Sequence, residues 1–143
     1  MGVKNIFVVE GDEFFAEAFI EKMKRMGDFE IHYFNTVERA LGEVTKIRPE
    51  IISMDHVLHG VKGVEAIPLL KEIHESAEIV IVSNQILPEV LGQALDSGAS
   101  KYFVKDLLLT NATKDFIEEM QNKASKNEGF WSNFLKFFHK KTE

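Results

Sequence analysis

Apolar residues fall along the chain in two alternating rhythms. Short runs of β-branched and aromatic side chains, Ile6 to Val9, Ile31 to Phe34, Ile51 to Met54, Ile79 to Val82 and Tyr102 to Val104, read as strands. The fourth run is apolar at every position and the third is broken only by Ser53, as expected of strands covered on both faces. Between them apolar residues recur at the helical period. Phe15, Ala18, Phe19, Met23 and Met26 outline a first helix, with Gly27 as its stop. Thr36 is placed to cap a second, bearing Val37, Ala40, Leu41 and Val44, which Pro49 keeps from continuing. A third is predicted to start at Gly63 or Val64, or slightly later so that Pro68 falls near its first turn. Pro88 opens and Gly98 closes a fourth; Ala112, Phe116, Ile117, Met120 and Ala124 mark a fifth. Five strand–helix units in this alternation predict an α/β domain with a parallel sheet between two helical layers.

The domain is predicted to occupy residues 1–124, and 125–143 to be a separate extension. There the polar stretch SKNEG leads into FWSNFLKFFHKK. Were it helical, Phe130, Trp131, Phe134, Leu135 and Phe138 would share one face, with Lys136 and Lys140 on the other. Three covers suit such a face: the domain itself or a symmetry mate, a kinase or other partner, or an anionic membrane surface.

Composition narrows the function classes. A chain of 143 residues with 45% hydrophobic and 28% charged residues suits one globular core. No apolar run approaches the ~20 residues of a membrane-spanning helix, and the N-terminus lacks the pattern of a secretory signal. There is no cysteine, which excludes disulfides and thiolate chemistry. A cytoplasmic location follows by default. The net charge of −6 argues against a nucleic-acid partner. Fewer than ~20 residues follow the fifth helix, too few for a DNA-binding output domain.

Candidate chemistry collects where the strands end. The first is followed by Glu10-Gly11-Asp12-Glu13, the third by Asp55, the fourth by Ser83 and the fifth by Lys105. In an open parallel sheet the carboxyl ends of the strands are where ligands bind. Carboxylates gathered there repel one another unless a divalent cation lies between them, and Mg²⁺ needs only one or two carboxylates together with phosphate oxygens and water. The set therefore reads as a phosphoryl site. An aspartate held in it can act as nucleophile, while a cation and a lysine neutralise the transferring oxygens.

The strings IFVVEGDE, PEIISMDHVLHGVKG, IVIVSN and SGASKYFVKD resemble the receiver domain of two-component response regulators, over roughly residues 3–124. The resemblance implies a doubly wound, flavodoxin-like sheet in the order 2-1-3-4-5, here followed by a C-terminal helical extension. It implies phosphorylation of Asp55 by a histidine kinase or phosphotransfer protein. Mg²⁺ would be held by Glu10, Asp55 and the backbone carbonyl of Val57. Ser83 and Lys105 would bind phosphate, and Tyr102 would be the aromatic that changes rotamer on activation. Output would pass to a downstream protein partner, with a homodimer compatible with the tail. A switch of this kind is not expected to be an enzyme.

Several positions depart from that pattern. Gly11 stands where the family carries a second acid that ligates the metal, so Mg²⁺ affinity is expected to be weakened, with Asp12 the candidate substitute. Asn84 replaces a very small residue beside the site. Asp106 and His59 replace common prolines, and Lys62 replaces a common acid. The alternative reading, prompted by Gly11, is a pseudo-receiver that binds partners without phosphate. A haloacid-dehalogenase-like phosphatase would need a second aspartate where Val57 stands. His56 and His59, spaced as D-H-x-x-H, are read as surface side chains rather than a transition-metal site.

Overall fold

The computed structural model describes residues 3–105, apart from 26, 59, 60 and 85–87. The predicted fifth helix and the extension over 125–143 lie outside the described residues. Nine elements alternate along the described chain: β1 Asn5–Val9, α1 Glu13–Lys24, β2 Glu30–Phe34, α2 Val37–Ile47, β3 Ile51–Asp55, α3 Gly63–Ile73, β4 Glu78–Ser83, α4 Pro88–Ser97 and β5 Lys101–Val104. The five strands form one parallel sheet in the order β2-β1-β3-β4-β5, with Phe7 level with Ile52 and Ser53 with Val80.

Strand side chains point alternately to opposite faces, and this alternation divides the interior into two cores. On one face Ile6, Val8, Ile51, Val80, Val82 and Phe103 meet Phe15, Ala16, Phe19 and Met23 of α1. On the other, Phe7, Val9, Ile52, Met54, Ile79, Ile81 and Tyr102 meet Val37, Ala40 and Val44 of α2, Ala66, Ile67 and Leu70 of α3, and Ala94 of α4. Both faces of β3 and β4 are apolar because both are covered.

Local chemistry starts and stops the helices as the sequence suggests, with exceptions. Asp12 caps α1, its Oδ1 accepting from the Phe15 N–H at 3.2 Å, and Thr36 caps α2 by accepting from the Arg39 N–H. The buried stripe of α1 passes through Ala16, while the predicted Ala18 is exposed, one step outside the arc that faces the sheet. α1 also ends before Gly27, at Lys24, with Arg25 as its C-cap. α3 begins at Gly63, so Pro68 lies inside the helix rather than near its start. With no N–H, Pro68 cannot donate to the Val64 carbonyl; it stands on the exposed side of α3, where water can reach the backbone. The start of α3 is secured by Glu65, whose Oε1 accepts from the Lys62 N–H at 3.1 Å. Gly98, with φ of 115°, closes α4 in the left-handed region that its lack of Cβ permits.

Candidate functional site

The acidic edge is assembled from four strand ends. Glu10 follows β1, Asp55 ends β3, Ser83 ends β4 and Lys105 follows β5, and all four are buried, Glu10 to the point of 1% exposure. Asp55, Ser83 and Lys105 line an open cleft of about 590 Å³ together with Gly11, Asp12, Glu13, Asn35, Thr36, Val57, Leu58 and Asn84; Glu10 is not part of its lining.

Lys105 is the centre of charge. Its Nζ lies 2.8 Å from Glu10 Oε2 and 3.2 Å from Asp55 Oδ2, and 5.0 Å from the centre of the Phe15 ring, which supplies an aromatic face beneath the cation. Asp55 Oδ1 accepts from the Val57 N–H at 3.2 Å, and Glu10 Oε2 from the Asp12 N–H at 3.0 Å. Burial of the Glu10 carboxyl, reinforced by the neighbouring Asp55 carboxyl, pushes its pKa up to about 8 against the pull of Lys105 and the Asp12 N–H. Burial works against the Lys105 ammonium as well, but hydrogen bonding and attraction from Glu10 and Asp55 prevail and raise its pKa. The cluster is thus one firmly held cation beside a Glu10 carboxyl that burial keeps from shedding its proton easily.

Two features fit a hard divalent cation. Glu10 Oε1 is buried with no hydrogen-bond partner, an orphaned acceptor that a cation would satisfy. The Val57 carbonyl oxygen faces Gly11, 3.9 Å from where a Cβ there would sit, so this side of the cleft is lined by oxygen. Among the described residues no group of three or more His, Asp or Glu converges on a metal position. The residues that could hold such an ion are Glu10, Asp55 and the Val57 carbonyl, a set that would suit Mg²⁺ with water and phosphate completing its shell.

Other candidates take definite places. Asp12 lines the cleft but its carboxylate also holds the α1 cap. Tyr102 is buried at 2% exposure in the core on the α2, α3 and α4 face. Asn84 is exposed on the rim beside Ser83, where a larger side chain narrows the approach. His56 overturns its surface reading: it is buried, its pKa is lowered by burial and then by Lys62, and its backbone ties the β3–α3 turn to β4 through Val82. His59 lies outside the described residues.

Sequence reasoning missed two supports of the site. The first is Gly63: a Cβ there would overlap the Asp55 carbonyl oxygen and press within 3.1 Å of His56 Cα, so the turn closes over Asp55 only with glycine. The Gly63 N–H donates to the His56 carbonyl at 2.8 Å and fixes this fold-back. The second is Tyr33 on β2, whose Oη donates to the Glu10 carbonyl at 2.7 Å. A tyrosine on an edge strand gave no signal of this, since the bond depends on the β1–β2 register.

Comparison with known proteins agrees with this architecture. The chain matches the model of the response regulator receiver domain over residues 6–116. No curated protein matches it. Among solved structures it is similar to a response regulator from Burkholderia pseudomallei with a phosphorylated aspartic acid, calcium ion and citrate, at 24% identity over 81% of this chain and 72% of that one, with a TM-score of 0.67. The response regulator domain of Thermotoga maritima CheB is similar at 17% identity over 84% of this chain and 97% of that one, with a TM-score of 0.72. The Salmonella typhimurium RcsB response regulator is similar at 15% identity over 95% and 68%, with a TM-score of 0.75. At these identities the structural likeness speaks for the fold.

Proposed function

The chain belongs to the response regulator receiver family, and from that premise we propose that Asp55 is its phosphoacceptor, charged by a histidine kinase or phosphotransfer protein. The observation that carries the proposal is the buried Lys105 ammonium lying between Asp55 and Glu10, beside an open cleft that Asp55 and Lys105 both line.

An Asp55 carboxylate oxygen attacks phosphorus; an O–P bond forms as the donor's P–N bond breaks, and the electron pair leaves with the donor imidazole nitrogen. Glu10, Asp55 and the Val57 carbonyl would hold Mg²⁺, with Asp12 contributing from the rim alongside its capping bond. When bound, the ion supplies positive charge to the phosphoryl oxygens as they pass from donor to acceptor. Lys105 meets a second oxygen from the opposite side. The Ser83 hydroxyl, at the end of the neighbouring strand, donates to a third. Moving Ser83 and Lys105 toward the phosphoryl group frees space beside β5 for Tyr102, which biases the surface formed by α4 and β5 between two states. Output is altered protein binding, consistent with a receiver acting as a signalling module.

The test is intact mass after incubation with acetyl phosphate and Mg²⁺. A metal-dependent gain of one phosphoryl group in the wild type, absent in Asp55→Asn, is the expected result. A folded protein that gains nothing at any Mg²⁺ concentration would overturn it.

A further inference from the structure

Glu10 is followed by a glycine, yet its carboxyl group has to be held in place. Its main chain is fixed twice to β2. The Glu10 N–H donates to the Phe34 carbonyl at 2.9 Å, continuing the β1–β2 ladder, and the Glu10 carbonyl accepts from Tyr33 Oη at 2.7 Å. Tyr33 stands level with Val8, two positions before Glu10 on the same face, so its ring reaches diagonally forward to the strand end. At the side chain, Oε2 is taken by the Asp12 N–H and Lys105, and only Oε1 is left over. Gly11 adds backbone freedom at the next residue, where a larger side chain would stiffen the chain.

We propose that Tyr33 is a positioning residue for the phosphoryl site: its hydroxyl clamps the Glu10 carbonyl and so aims the unpaired carboxyl oxygen of Glu10 at the cation. The inference rests on the reading of this cleft as a Mg²⁺-dependent phosphoryl site. Tyr33 is suited to the task because its phenol stays a donor. Burial, followed by the charges of Glu13, Glu10 and Asp12, raises its pKa further above neutrality. At 38% exposure the ring is not part of either core, so removing the hydroxyl leaves the packing intact.

The variant that isolates the hydroxyl is Tyr33→Phe. Mg²⁺ affinity is measured by calorimetry, the amide spectrum of the full chain reports folding, and the phosphorylation rate with acetyl phosphate is followed against Mg²⁺ concentration. Loss of one hydrogen bond to a carbonyl predicts a Mg²⁺ dissociation constant raised about fivefold to tenfold. The rate at saturating Mg²⁺ is expected to stay at the wild-type value, with the half-saturating concentration raised in step. Equal Mg²⁺ affinities in a folded variant would overturn the positioning role while leaving the phosphoryl site standing. A lower saturating rate with unchanged affinity would overturn it too. Wild-type protein that binds no Mg²⁺ would bring down the site reading and the clamp together.

Discussion

Lys105 and Glu10 meet across 95 residues of chain, Nζ to Oε2 at 2.8 Å, in a pocket where both side chains are almost wholly withdrawn from water. The pair joins the residue after β5 to the residue after β1, across the intervening β3 and β4, at the acidic edge of the sheet. An ion pair so buried derives its worth from completeness: removing one partner strands the other.

Lys105→Met is therefore expected to destabilise the fold by ~3–5 kcal/mol, because Glu10 and Asp55 would face each other with no cation between them. Denaturant unfolding in metal-free buffer measures this, and a loss below ~1 kcal/mol would mean that water already reaches the pair.

The raised pKa of Glu10 makes stability depend on pH in a defined direction. The folded state keeps a proton that the unfolded chain releases at the ordinary 4.5, so the stabilising contribution is complete below that value and is lost as pH rises through about 8. Melting temperatures taken across this window in the presence of a chelator should fall more steeply for the wild type than for Glu10→Gln. Parallel curves would show that Glu10 is ionised throughout.

Gly11→Asp adds a carboxylate beside the candidate cation ligands Glu10 and Asp55. The new Cβ would meet only the Val57 carbonyl oxygen at 3.9 Å, an ordinary contact, so the backbone need not move. Mg²⁺ affinity should rise about tenfold, equivalent to about 1.4 kcal/mol. Calorimetry on the two proteins checks this, and unchanged affinity would place the Gly11 position away from the cation.

Gly63→Ala should damage the site without touching it. The added methyl collides with the Asp55 carbonyl and forces the turn open, at a cost above ~1 kcal/mol. Phosphorylation by acetyl phosphate is expected to slow along with the fall in stability. A variant as stable and as reactive as the wild type would show that the turn has room to give.

Much of this was legible in the sequence because it follows from periodicity and punctuation. The IVIV run around β4, the Thr36 cap and the Pro88-to-Gly98 helix appear where the pattern puts them, and the sheet has the predicted order. The clustering of Glu10, Asp55, Ser83 and Lys105 was equally readable, since each ends a strand or directly follows one. What escaped depends on contacts between distant segments. His56 looks like a polar loop residue until α3 folds over it. Tyr33 is tied to Glu10 by strand register alone, and Pro68 is tolerated by its exposed position on α3.

The alternation along β3 has a consequence for how this strand can vary. Asp55 belongs to the row that includes Ile51 and faces α1, while Ile52 and Met54 belong to the row that faces α3. Side chains in β3 can be exchanged for others of like size, but the count of residues before Asp55 cannot change by one. A single insertion would transpose the two rows, bury the carboxylate among aliphatic side chains and bring an apolar residue to the mouth of the cleft. The strand is thus permissive in spelling and strict in length.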